Sequence, residues 1–133
     1  MVLWFPAVHL METSFLELFQ GEHVDELASH GFVTEGTIRI GKPFLDEVKT
    51  LALEPILSKI EQPVLIIHGD SDSDVPHTQS LNAAKLIRTP CEVEIIKGGG
   101  HGLRKPEQQL RAVELTVNWF AAYLAQDKVA GIK

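Results

Sequence analysis

The chain has 133 residues, 44% of them hydrophobic and 23% charged, and a net charge of −6. That length suits one domain with a sizeable core, and the negative balance argues against nucleic acid or an anionic membrane surface as partner, since both select basic patches. No apolar run reaches the roughly 18 residues of a membrane span, and the single cysteine, Cys91, leaves no internal disulfide and fits a reducing, cytoplasmic setting.

Val2, Leu3, Trp4 and Phe5 read as a first strand, ended by Pro6, which has no N–H for a ladder. A chain that opens inside a buried strand without a basic leader is expected to be a fragment or a truncated reading frame. Thr13 or Ser14 is placed to cap a short helix carrying Phe15, Leu16, Leu18 and Phe19, which Gly21 stops. Read from its residues, this piece is a surface helix with its apolar stripe on the body. Residues 22–30 are polar and ambiguous. His9, His23 and His30 fit no metal-ligand spacing and read as scattered surface histidines.

Phe32-Val33-Thr34 and Thr37-Ile38-Arg39-Ile40, joined through Glu35-Gly36, predict a hairpin. Arg39 projects away from Ile38 and Ile40 and reads as solvated, with a hold on a substrate carboxylate as the alternative. Pro43 suits a first helical turn. Phe44, Leu45, Val48, Leu51 and Leu53 then give a helical stripe, Pro55 interrupts it, and Ile56, Leu57 and Ile60 continue as a short helix to Pro63.

Val64-Leu65-Ile66-Ile67 is apolar on consecutive positions, the pattern of a strand buried on both faces of a parallel sheet. It runs through His68-Gly69 into a turn with three aspartates, Asp70, Asp72 and Asp74, then Val75-Pro76. In an open α/β sheet, loops at the carboxyl ends of strands line the ligand crevice. Residues 77–88 predict a helix with Leu81, Ala84 and Ile87 or Leu86 facing in, ended at Thr89-Pro90. Cys91 opens the next strand as a packed small hydrophobe. It lies a whole strand away from the histidine that follows, which excludes it as a nucleophile. Glu92-Val93-Glu94-Ile95-Ile96-Lys97 leads into Gly98-Gly99-Gly100-His101-Gly102, where glycines leave the imidazole uncrowded. Pro106 starts a last helix. Leu110, Val113, Val117, Phe120 and Leu124 form its apolar stripe, flanked by Trp119 and Tyr123, and residues 127–133 are expected to fray.

An acidic loop after one strand and a glycine-framed histidine after the next are two parts of a Ser-His-Asp device. His68, Gly69, Asp72 and Pro76, followed by Gly99-Gly100-His101 and a long amphipathic helix, resemble the C-terminal part of the α/β-hydrolase superfamily. Val2 to Ala7 resembles that family's sixth strand, and Gly36 to Phe44 resembles the insertion of bacterial feruloyl or cinnamoyl esterases. The resemblance implies an α/β fold: the C-terminal portion of a doubly wound sheet, with about three parallel strands, crossover helices and a small helical and hairpin insertion. The whole chain, 1–133, is then one partial domain, with 9–60 as the cap-like insertion, in which the Phe15 to Phe19 piece has an acyl- or aryl-binding lid as its alternative reading, and 61–126 as the last two strands and helices. Asp72 is implied as triad acid and His101 as base, with His68 structural, Asp70 accepting turn hydrogen bonds and Asp74 solvated.

The family's nucleophile sits in G-x-S-x-G, and none of Ser14, Ser29, Ser58, Ser71, Ser73 and Ser80 stands in that motif. The chain is therefore expected to carry part of a serine carboxylic-ester hydrolase, inactive without the serine and needing no cofactor. Its partner is an ester-type small molecule once an N-terminal half completes the site. One alternative is a non-catalytic remnant that self-associates through an exposed sheet edge. Another is a metal-binding protein using the Asp70/Asp72/Asp74 loop, although Val75-Pro76 stands where a calcium loop needs its glycine.

Overall fold

A computed structural model describes the backbone of residues 1–130 and the side chains of residues 1–125. Strand β1 is Val2–Trp4. The expected short helix is a 3-10 helix, Ser14–Phe19, and a further 3-10 turn, Leu10–Glu12, precedes it. Thr13 caps the helix, its hydroxyl accepting from the Phe15 N–H at 3.1 Å. The polar stretch forms helix α1, Glu22–His30, which Gly31 ends in the left-handed conformation. The hairpin follows as β2, Phe32–Glu35, and β3, Ile38–Gly41.

Helices α2, Lys42–Val48, and α3, Glu54–Leu57, each carry a proline in the first turn. Pro55 thus starts a helix as well as breaking the stripe. Strand β4 is Val64–Gly69, helix α4 is Thr78–Leu86, strand β5 is Cys91–Ile96 and helix α5 is Pro106–Ala130. Of the expected frayed tail, residues 127–130 are helical and 131–133 lie outside the described residues.

The main sheet has three parallel strands in the order β1-β4-β5, and β2-β3 is a separate antiparallel pair. β1 therefore has one neighbour in this sheet, with Val2 opposite Leu65 and Trp4 opposite Ile67. β4 is central and every one of its residues is buried. Its side chains alternate between two cores, as the pleat requires. Val64 and Ile66 pack with Val8, Leu57, Ala83 and Ile87. Leu65 and Ile67 pack with Ile96, Leu103, Ala112 and Trp119 on the α5 side. The stretch expected to be an insertion has its own core of Leu18, Val33 and Leu45.

Two helices turn other faces inward than their leucine patterns predict. On α4, Gln79, Ser80 and Ala83 are buried and Leu81 and Leu86 are exposed, while Ile87 just beyond the helix is buried as expected. On α5, Leu110, Val113, Val117, Phe120 and Leu124 are exposed, with Leu110 60% and Leu124 58% accessible. The sheet takes the opposite face, where Ala112 and Trp119 are buried and Leu115 and Tyr123 pack beside them. Trp119 and Tyr123 have ring centroids 4.5 Å apart.

Candidate active site

The loops after β4 and β5 lie side by side because glycine backbone meets glycine backbone. A Cβ on Gly69 would stand 2.0 Å from the Gly99 carbonyl oxygen, a separation no other residue allows. Three hydrogen bonds close the seam. The Gly98 N–H donates to Asp70 Oδ1 at 2.6 Å, the Ser71 N–H to the Gly99 carbonyl at 2.9 Å and the Asp70 N–H to the Ile96 carbonyl at 3.2 Å. Asp70 thus spends its carboxylate on the turn, as its position implies.

Asp72 sits one step further on. Its Oδ1 accepts the N–H groups of Asp74 and Val75, each at 2.9 Å, in a tight side-chain-to-backbone turn. Its Oδ2 receives His101 Nδ1 at 2.9 Å and His68 Nε2 at 3.1 Å. The Asp72 side chain is wholly buried while that of His101 is 44% exposed. Burial pushes the Asp72 carboxyl up, but the Val75 N–H, His101 and the Asp74 N–H together hold it below the usual aspartate value. A charged, fixed acceptor at Nδ1 places the His101 proton there and leaves Nε2 with its lone pair, and that atom has no hydrogen-bond partner among the described residues.

His68 ends β4 on the side facing α4, where its Nδ1 meets Ser80 Oγ at 2.6 Å. Its hydrogen-bonding role agrees with the expectation, but neither Ser80 nor its link to Asp72 was legible. The signal was there in weak form, a serine on the same helical face as Ala83 and Ile87. Phe5 is a second residue the sequence hid. It has φ +49 at the end of β1, an unusual backbone for a bulky side chain. Its ring lies 5.7 Å from that of His68 and 5.4 Å from that of His101.

Two hollows adjoin these groups. One of about 270 Å³ is lined by Ser73, Asp74, Gly100, His101 and Arg104. The other, about 380 Å³, is formed with the insertion and lined by Phe15, Leu18 and Ile40 together with Ser14, Glu17, Glu35 and Asp74. Asp74 borders both. The Ser14 N–H donates to the Asp74 carbonyl at 2.9 Å and ties the insertion to the acidic turn.

The other expected site features fall outside this arrangement. Asp70, Asp72 and Asp74 do not converge on one point, and the group whose ligand atoms lie within 4.8 Å of one another is Asp72, Asp74 and His101. Arg39 stacks over Phe32 at 4.8 Å. His9 pairs with Glu54 and His23 with Glu26. Cys91 opens β5 at the end away from His101, and burial, helped by the Glu92 charge, pushes its thiol up.

A family model described as the prolyl oligopeptidase family, peptidase S9, matches residues 24–127, well over half of the chain. The chain belongs to the prolyl oligopeptidase family. Solved structures similar to this family member are α/β-hydrolases. Est1E from Butyrivibrio proteoclasticus with ferulic acid bound is 21% identical, with a TM-score of 0.66, covering 90% of this chain and 49% of that one. A putative hydrolase from Agrobacterium vitis is 20% identical, with a TM-score of 0.67, covering 89% of this chain and 48% of that one. Mouse alpha/beta hydrolase domain-containing protein 10 is 22% identical, with a TM-score of 0.66, covering 92% of this chain and 52% of that one. This family member thus spans about half the length of these three hydrolases. No curated protein matches it. Among the described residues, no helix is long and apolar enough to cross a membrane.

Proposed function

We propose that this chain supplies the acid and base of a serine carboxylic-ester hydrolase, with the attacking serine carried outside these 133 residues. The observation that carries the reading is the 2.9 Å contact between buried Asp72 and exposed His101, at the carboxyl ends of adjacent parallel strands. In the proposed cycle a serine hydroxyl attacks the ester carbonyl carbon while His101 Nε2 takes its proton. The tetrahedral oxyanion collapses, the C–O bond to the alcohol breaks, and the alcohol leaves with the proton from His101. Water then repeats the sequence on the acyl-serine and releases the acid. Asp72 holds the Nδ1–H tautomer throughout and stabilises the imidazolium.

Three of the chain's own serines near the site are engaged elsewhere. Ser80 is buried on His68, and the hydroxyls of Ser71 and Ser73 donate to Asp70 and Asp74. The Phe15, Leu18 and Ile40 wall of the larger hollow supports an aryl or medium acyl group as substrate. The ferulic acid bound to Est1E supports an ester and the prolyl oligopeptidase family an amide, and the acid and base serve either bond.

The test is hydrolysis of a p-nitrophenyl acyl ester series by the purified chain, with His101→Ala beside it. Equal background rates are expected from the chain and the variant, and turnover by the chain when joined to a segment bearing G-x-S-x-G. A rate in the chain alone that His101→Ala abolishes would refute the split between acid–base pair and nucleophile.

A second reading concerns the isolated chain. β1 leaves one edge of the sheet unpaired, which supports self-association by strand addition as a non-catalytic remnant. Sedimentation velocity giving a single monomeric species at all concentrations would remove it. A metal-binding reading draws on Asp72, Asp74 and His101 rather than the three aspartates, and zinc addition without a rise in melting temperature would remove that too.

A further inference from the structure

We propose that His68 is a positioning residue for Asp72, held as its Nε2–H tautomer between Ser80 and the carboxylate so that it fixes the oxygen to which His101 donates. The catalytic consequence rests on Asp72 and His101 being the acid and base proposed above.

The tautomer follows from what surrounds the ring. His68 Nε2 lies 3.1 Å from Asp72 Oδ2 and 3.0 Å from the Val75 carbonyl oxygen. Both oxygens are acceptors, so the proton belongs on Nε2. Nδ1 then carries the lone pair, and the Ser80 hydroxyl, 2.6 Å away, donates to it. His68 and Ser80 are both wholly buried, which leaves no solvent to substitute for either partner.

The consequence is a carboxylate gripped at both oxygens. The Asp74 and Val75 N–H groups hold Oδ1 from the turn side. His68 holds Oδ2 from the strand side, and the remaining direction at Oδ2 points to His101. His101 is exposed and stands in a glycine-rich loop, so its aim comes from Asp72 more than from its own packing. The groups facing His101 are Asp72 and Asp74 from the β4–α4 loop, Arg104 from its own loop and the Phe5 ring from β1. Of these, Asp72 alone is both buried and hydrogen-bonded to it. Without the His68 donor, Oδ2 keeps a single partner and the carboxyl group gains a torsional freedom that His101 shares.

The experiment is imidazole ¹⁵N NMR on the full chain labelled at histidine. His68 is expected as the Nε2–H tautomer, and His101 as Nδ1–H with a downfield, slowly exchanging proton. His68→Gln places an amide donor near the Nε2 position and should retain the His101 signal. His68→Leu keeps the bulk without the donor and should lose that signal while remaining folded by circular dichroism. An Nδ1–H tautomer at His68 in the unmodified chain overturns the proposal, and that measurement needs no variant to fold. A His101 signal undiminished in folded His68→Leu overturns it as well, since a purely space-filling His68 would give that result. Failure of ester hydrolysis in the completed enzyme would remove the esterase reading and leave the tautomer measurement standing.

Discussion

Gly69→Ala tests whether glycine contact is what brings Asp72 and His101 together. The added Cβ would stand 2.0 Å from the Gly99 carbonyl oxygen, 2.4 Å from its carbon and 2.8 Å from Gly99 Cα. Those are backbone atoms and cannot rotate aside. To reach ordinary contact the Gly99 carbonyl must retreat by about 1.4 Å, a shift that strains packed backbone on both sides. The Ser71 N–H bond to that carbonyl starts at 2.9 Å and does not survive such a move. His101 is two residues further along, and its bond to Asp72, also 2.9 Å, needs only a fraction of the shift to break. Overpacking of this kind costs about 1–3 kcal/mol, a fall in melting temperature of about 3–15 °C for a chain of this size. Gly100→Ala is the control, because its Cβ would meet the Ser71 carbonyl oxygen at an ordinary 3.6 Å. Thermal unfolding followed by circular dichroism, with the His101 Nδ1–H resonance as local probe, reads both variants. Equal melting temperatures with the resonance intact in Gly69→Ala would refute the reasoning.

Other outcomes follow from features already described. Trp119→Ala removes a buried ring over β4 and should lower unfolding free energy by about 3–5 kcal/mol, whereas Val117→Ser on the exposed stripe should change it by less than about 0.5 kcal/mol. Urea titration compares them, and the reverse ranking would mean that α5 is rotated. Asp72 has a lowered folded-state value, so its contribution to stability is present above the unfolded aspartate value of about 3.9 and is lost as pH falls below it toward the folded value. Glu26, held down by Thr34, and Asp46, held down by Lys42, act in the same direction. Acid unfolding of Asp72→Asn should therefore be shallower than that of the parent without becoming flat. Cys91 should alkylate slowly near neutral pH, with a rate still rising above the ordinary thiol range of about 8.5. Rapid labelling with iodoacetamide at neutral pH would contradict the burial that raises its thiol.

How much of this was legible varies with the distance over which each feature is determined. β4 and its acidic turn were readable because the signal is contiguous: four apolar residues, then Gly69, the aspartates and Pro76. Likewise His101 announced itself through its glycines. The inward face of α5 was not readable, because both faces carry large apolar residues and periodicity alone cannot say which one meets a sheet. α4 misled for a related reason. Part of its buried face is polar, with Gln79 reaching the backbone of Val8 and His9, so hydrophobicity placed Ala84 and Ile87 inward but misplaced Leu81. The Gly69–Gly99 contact and the Phe5 ring between two histidines join residues far apart in sequence, and no local pattern encodes them.

Phe5 gives the open side of the sheet a second meaning. It closes β1, a three-residue strand with a neighbour on one flank only, and it covers one flank of each of the two imidazoles that meet at Asp72. Short strands held from one side open locally more readily than central ones. Each opening of β1 would withdraw that aromatic cover and admit water beside the buried carboxylate. Fraying of the sheet's edge and wetting of the Asp72–His101 contact would then be one event, so whatever steadies β1 would also set the dielectric around that hydrogen bond.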